Sequence, residues 1–174
     1  MNETQQHETP HATATRYRPQ GFTSLTPLIV VEPAREAITF YQQVFGATPT
    51  TRMDGPDGRV WHCELDFGTG RLQLMDPNPQ FHVVASDPAT DEVSSSIAVY
   101  LADVDAVTER ARALGARIRE EPADFEVTGD RYSSIQDPFG RRWTVMSRTV
   151  NRSDAQIQRA LDQWRDSMGQ DAAR

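Results

Sequence analysis

The chain contains no lysine, because all 18 of its basic residues are arginine. A Schiff base needs a lysine amine, as do the covalent anchoring of pyridoxal phosphate and the lysine of a P-loop. These three kinds of site are therefore excluded. Cysteine is almost as scarce, since Cys63 is the single one among 174 residues. An internal disulfide and a metal site built from several cysteines are excluded as well.

Long apolar runs are also lacking. No stretch approaches the roughly 20 residues that a membrane span needs, and the first residues lack the apolar centre of a signal peptide. We therefore expect a soluble, cytoplasmic protein with no membrane partner. The formal charge of −7 argues against a nucleic-acid partner, because phosphates demand a basic face. Residues 22–149 hold 19 acids and 12 arginines, an excess that favours cationic ligands but that solubility explains equally well.

Both ends of the chain differ from its middle. Residues 1–21, with His7 and His11, carry too few apolar side chains to offset the entropy of ordering, so we expect a disordered tail. Residues 150–174 are predicted to form an amphipathic helix that begins with a capping box of Ser153 and Gln156. We expect its apolar stripe to pack on the domain or on a partner subunit, with a lid over a ligand as the alternative. The stripe consists of Ile157, Ala160, Leu161, Trp164 and Met168.

The middle segment, residues 22–149, repeats itself. Each half has an apolar strand, a helical period that stops at Gly46 or Gly115, and further strands separated by turns. The second helix has Asp103 or Asp105 as its cap. We predict an α+β fold of two βαβββ modules, residues 22–76 and 93–149, joined by a connector at 77–92. Since one helix covers only one face of each sheet, the modules should form a curved sheet that encloses a cavity.

Alternation along the strands predicts which side chains face that cavity. His62 and Glu64 share a strand face, so they form a candidate acid–base pair, with a plain hydrogen-bonded wall residue as the alternative for His62. Cys63 falls on the opposite face with Trp61 and is predicted to be a buried structural thiol. The predicted ligand-binding residues are His62, Gln73, Met75, Ser96, Tyr100, Tyr132, Thr144 and Met146.

These motifs resemble the vicinal oxygen chelate superfamily, which contains glyoxalase I, extradiol dioxygenases, fosfomycin-modifying enzymes and bleomycin-resistance proteins. The resemblance rests on residues 28–46, 58–65, 129–132 and 137–143. It implies a divalent metal held by histidines and carboxylates on the first and last strands of each module. The corresponding positions in this chain are Thr26, Gln73, Ser96 and Thr144. Hydroxyls and a neutral amide are poor ligands for zinc, nickel or iron, so we expect neither a metal nor another cofactor.

Three hypotheses about function follow. The leading one is a metal-free protein, a homodimer or pseudo-dimer, that binds a small organic ligand and sequesters an antibiotic or metabolite. The alternative is an enzyme of the same superfamily, of lyase, isomerase or dioxygenase type, which uses an atypical metal site or His62 as its acid–base residue with Glu64. The third is an interaction module that assembles through its C-terminal helix. Whether the modules pair within one chain or exchange between two chains is left open by the connector length.

Overall fold

A computed structural model describes residues 17–171, with side chains described as far as residue 167. The predictions for residues 1–16, His7 and His11 included, lie outside the described residues, as does the prediction for the side chain of Met168. Among the described residues, no helix combines the length and the apolar character that crossing a membrane requires.

Two modules of the same topology follow one another along the chain. The first contains β1 (Leu28–Val30), α1 (Ala34–Phe45), β2 (Thr48–Asp54), β3 (Val60–Asp66) and β4 (Arg71–Met75). The second contains β5 (Ser96–Tyr100), α2 (Val104–Ala113), β6 (Arg117–Phe125), β7 (Asp130–Gln136) and β8 (Arg142–Arg148), and α3 (Asp154–Asp171) comes after it. The predicted α+β fold of two βαβββ modules with a C-terminal helix is confirmed.

Each module has its own mixed four-stranded sheet. The strand orders are β1-β4-β3-β2 and β5-β8-β7-β6, and the first strand of each module runs parallel to the last. Glu64 lies opposite Gln73 in the first sheet, and Ser134 lies opposite Thr144 in the second. The internal repeat of the sequence is therefore a repeat of the backbone.

The helices form where the apolar period indicated. The buried side of α1 includes Ile38, Tyr41 and Val44, and the helix ends at Gly46 as predicted. Helix α2 is capped by Asp103, whose side chain accepts a hydrogen bond from the backbone N–H of Ala106 at 2.9 Å. Of the two aspartates considered as its cap, Asp103 takes the role because it stands immediately before the first turn.

An aromatic cluster joins the two modules within the chain. The rings of Phe45 and Trp143 lie 4.7 Å apart, and those of Tyr41 and Trp143 lie 5.1 Å apart. Asp137 lies beneath these rings and is almost fully buried. Its Oδ2 accepts hydrogen bonds from the Tyr41 hydroxyl and from Trp143 Nε1, both at 2.8 Å. The modules therefore share one hydrophobic core rather than forming separate ones.

The connector between the modules packs against the second sheet. The carbonyl of Thr90 accepts a hydrogen bond from Gln136 Nε2 at 2.8 Å, and the carbonyl of Asp91 accepts one from Arg142 Nη2 at 3.0 Å. Gln136 is fully buried as a result. Gly140, with φ of +82°, approaches so closely that an added Cβ would lie 2.9 Å from the backbone of Asp87. The connector is thus held against one end of the second module.

Candidate functional site

One face of each sheet packs on a helix and the other faces away from it. In β3, Cys63 and Leu65 are buried against α1, and burial raises the pKa of the Cys63 thiol. In β7, the Ser133 hydroxyl lies 2.7 Å from that of Thr108 in α2. Because neighbours along a strand alternate, Tyr132 and Ser134 occupy the face opposite α2. We call these outer surfaces the open faces.

The open face of the first module carries four of the predicted residues, His62, Glu64, Gln73 and Met75, which we call the N-terminal patch. His62 Nε2 lies 3.4 Å from Glu64 Oε1, with the side chains 27% and 15% exposed. Gln73 lies directly opposite Glu64 on the neighbouring strand. The arrangement places an imidazole beside a carboxylate, which is the geometry of a base and its orienting partner.

Sequence reasoning missed Arg71, which completes this patch. Its Nη1 donates a hydrogen bond to Glu64 Oε2 at 3.1 Å, and the ring of Phe22 lies over its guanidinium at 4.7 Å. The carboxylate of Glu64 is therefore shared between His62 and Arg71. Alternation could have revealed this residue, because Arg71 stands two positions before Gln73 on the same strand.

The open face of the second module carries the other five predicted residues, which we call the C-terminal patch: Ser96, Tyr100, Tyr132, Thr144 and Met146. The hydroxyls of Ser96 and Thr144 lie 3.1 Å apart. Met146 lies between Tyr100 on one neighbouring strand and Tyr132 on the other. A further hydroxyl, that of Ser134, lies opposite Thr144 and was not singled out from the sequence. The patch thus combines a polar end with an apolar, partly aromatic end.

The structure assembles each patch but records no hydrogen bond between the two among residues 17–171. A cavity of about 260 Å³ lies at the seam of the modules, and Tyr100 is the one predicted ligand residue that lines it. Met75 lines another cavity, of about 440 Å³, with Trp61. Two side chains depart from expectation. Trp61 is 47% exposed although its face was predicted to pack on α1, and Thr26 precedes β1 rather than lying on it.

The family model for the glyoxalase/bleomycin resistance protein/dioxygenase superfamily matches residues 21–145. The chain belongs to this superfamily. The match includes residues of both modules and is not confined to one half of the chain.

Relatives of this glyoxalase-superfamily protein are similar in sequence or in fold. An uncharacterized protein of Mycobacterium bovis is 34% identical over 137 residues, which are 76% of this chain and 90% of the relative. The crystal structure of TioX from Micromonospora sp. ML1 matches with a TM-score of 0.55 at 21% identity, over 72% of this chain and 98% of TioX. A glyoxalase-related enzyme from Fulvimarina pelagi matches with a TM-score of 0.56 at 16% identity, over 72% and 87% of the two chains. The two structural matches establish the fold alone.

The metal that the superfamily implies does not fit the residues found here. The four positions that the resemblance assigns to metal ligands carry hydroxyls and an amide, and two of those hydroxyls, on Ser96 and Thr144, are hydrogen-bonded to each other. Neutral oxygen donors of this kind bind zinc, nickel or iron weakly, because they supply neither charge nor a nitrogen lone pair. Within the described part of the chain, no three His, Cys, Asp or Glu side chains come together as metal ligands could.

Proposed function

We propose that this protein binds a small organic molecule on its open faces without a metal, and that it sequesters an antibiotic or metabolite. The observation that carries the proposal is the pair of Ser96 and Thr144, which occupy two of the superfamily's ligand positions and engage each other instead. A ligand here meets hydroxyls at one end of the C-terminal patch and the thioether and rings of Met146, Tyr100 and Tyr132 at the other. A few polar groups in apolar surroundings are typical of small-molecule sites.

Methionine suits this role because its unbranched side chain adapts to irregular ligands. Met75 and Met146 occupy equivalent positions in the two modules, each two residues beyond an uncharged polar residue, Gln73 or Thr144. The matching placement gives both open faces the same order of polar and apolar groups along the last strand. The acidic charge of the domain favours a cationic ligand over an anionic one.

A thermal-shift screen of hydrophobic and cationic compounds, each with and without EDTA, tests the proposal. A ligand at 100 times its Kd stabilises the folded state by about 2.7 kcal/mol, and EDTA should leave that shift unchanged. Tyr132→Ala should lose the shift, whereas Tyr17→Ala, at a side chain that is 92% exposed, should keep it. A screen without any shift at saturating concentrations, or a shift abolished by EDTA, would contradict the proposal.

We also propose that the binding form is a homodimer, since the open faces leave large apolar side chains in contact with solvent. Leu28, Met53 and Tyr100 are 50%, 52% and 59% exposed in the single chain. Burying such exposed apolar side chains against a second copy of the chain would favour association. Light scattering coupled to size exclusion should give twice the mass of the chain, and a monomeric mass at micromolar concentration would contradict the dimer.

One observation favours a second function, that of an enzyme. His62 lies 3.4 Å from Glu64, and Glu64 is held by Arg71. A neutral imidazole oriented by a carboxylate can take up a proton from a bound substrate. Elemental analysis separates the two versions of this hypothesis. Stoichiometric nickel, zinc, manganese or iron that is lost in His62→Ala would support a metal enzyme with shifted ligands, and metal-free protein that loses turnover in His62→Ala would support acid–base catalysis.

A further inference from the structure

The C-terminal helix α3 is fixed to the second module at its starting point. The backbone N–H groups of Thr149 and Val150 donate to the carbonyl of Gly129 at 2.9 and 3.0 Å. Arg152 forms an ion pair with Glu126 at 3.3 Å. These contacts tie the segment before α3 to the turn between β6 and β7. The helix therefore departs from the end of the second sheet where β7 begins, close to Tyr132 in the chain.

A row of three aromatic rings links α3 to the C-terminal patch. The rings of Tyr132 and Phe125 are 6.2 Å apart at 78°, and those of Phe125 and Trp164 are 6.4 Å apart at 86°. Both pairs have the edge-to-face geometry that aromatic quadrupoles favour. The row begins on the open face beside Met146 and ends on the helix. Trp164 thus belongs to the same continuous aromatic surface as the predicted ligand residue Tyr132.

Trp164 remains 48% exposed in this arrangement. Its contact with Phe125 uses an edge-to-face pair, so much of the indole surface is free to meet another ring. Ile157 and Ala160 are also only partly covered, and Leu161 is 37% exposed. Packing on the domain alone therefore does not account for the whole stripe.

Resting on the function proposed above, we propose that α3 contributes Trp164 to the binding site and that the ligand carries a flat aromatic ring system. A rigid ring loses little conformational entropy when it stacks on another, so aromatic side chains contribute affinity efficiently. The hydroxyls of Ser96 and Thr144, which bond each other in the unliganded chain, would serve as the polar groups of the same site.

The test compares two probes that differ only in aromaticity. 2-Naphthylmethylamine and its decahydro analogue have the same charge, attachment and carbon skeleton. Isothermal titration of the full chain should give the naphthyl compound a Kd at least threefold lower than that of the saturated one. Trp164→Leu should bring the ratio close to one while changing the affinity for the saturated probe less than twofold. Trp164→Phe should retain part of the preference.

A control for loss of an exposed ring is Phe81→Leu, which removes an aromatic side chain of the connector that is 68% exposed and should leave the ratio unchanged. If the wild-type protein binds both probes equally, or if Trp164→Leu keeps the preference, the inference is overturned while the proposed function stands. If the screen finds ligands but neither probe binds, the aromatic class is overturned. If neither probe binds and the screen finds no ligand, both proposals are overturned.

Discussion

Asp137 shows how a single residue can hold two modules together. Its Oδ1 accepts from the backbone N–H groups of Phe139 and Arg141 at 3.0 and 2.8 Å, and its Oδ2 accepts from Tyr41 and Trp143. All four partners are donors, so the site requires an acceptor at both oxygens. The residues come from α1 and from the turn and strand that end the second module. No local pattern in the sequence reveals such a contact, because Tyr41 and Asp137 are 96 positions apart.

We predict that Asp137→Asn lowers the free energy of unfolding by about 2–3 kcal/mol. The amide NH₂ of asparagine would face two donors in place of an acceptor, which leaves buried groups unpaired. Tyr41→Phe, which removes one donor, should cost about 1.5 kcal/mol. Urea denaturation measures both values. Asp166→Asn, at an exposed position of α3, serves as the control and should change stability by less than about 0.5 kcal/mol.

The environment of Asp130 leads us to predict that the stability of the folded protein depends on pH. Burial tends to raise the pKa of Asp130, but hydrogen bonds from Arg148 and Thr128, both 2.6 Å, hold it below its ordinary value. The carboxylate therefore adds stability above the unfolded-state pKa of about 3.9, and this contribution is lost as the pH falls through the folded-state value. The advantage of the wild type over Asp130→Asn should be largest near neutral pH and shrink below about pH 4.

Urea titrations of both proteins at several pH values between 3 and 7 measure this advantage. Arg148→Gln should show the same loss of pH dependence, because it removes the cation that favours the charged carboxyl. A difference between wild type and Asp130→Asn that stayed constant across the range would show that the ion pair contributes no proton-linked stability.

At the scale of elements, the direction of α3 depends on the backbone of Gly129. Its φ is +76°, and an added Cβ would lie 2.4 Å from the carbonyl oxygen of Val150. We predict that Gly129→Ala destabilises the protein by about 2 kcal/mol, since it adds both left-handed strain and a clash. It should also loosen α3, so that trypsin cleaves faster at Arg159 and Arg165. Gly70→Ala, where no atom lies within 4 Å of the added Cβ, is the matched control.

If the two glycine variants were equally stable and equally resistant to trypsin, the close approach of Val150 to Gly129 would have no influence on how α3 is held.

The capping box at the start of α3 is present in part. The Gln156 side chain accepts a hydrogen bond from the backbone N–H of Ser153 at 2.7 Å, which is the contact that a capping box predicts for this residue. The Ser153 hydroxyl bonds to the same Gln156 oxygen instead of accepting from the third backbone N–H.

The elements themselves could be predicted from the sequence because their signals are local. Periods of two and 3.6 identify strands and helices, and glycine identifies where α1 ends. The same alternation placed Cys63 on the helix face, where the structure buries it. It failed for Trp61, which lies at an exposed position although its neighbours along the strand are buried. Alternation indicates on which face of a sheet a side chain lies, but it does not indicate how deeply that side chain is buried.

At the scale of the whole molecule, the parts of the site that escaped prediction are those made by distant segments. Arg71 engages Glu64 across a hairpin, the connector covers Gln136, and Phe125 contacts Trp164 across nearly 40 positions. Each of these contacts depends on how folded strands and helices pack together, and no short stretch of the sequence specifies that packing. The composition of the patches could thus be predicted, but their borders could not.

The shared aromatic cluster predicts that the modules unfold together. With Trp61→Phe and Trp164→Phe combined, Trp143 is the remaining tryptophan of three, and it is buried at the boundary between the modules. Its fluorescence and the far-UV circular dichroism should follow one coincident urea transition, as a two-state domain requires. Two separated transitions would show that each module is stable without the other.

The connector has a consequence for the internal duplication. The connector lies over one end of the second sheet and is held there by Gln136 and Arg142. Because a single connector joins the two modules, the two sheets are not covered in the same way. The two modules therefore have nearly the same backbone but unlike open faces, because the connector covers part of the second one. Molecules that fit the open face of one module therefore need not fit that of the other.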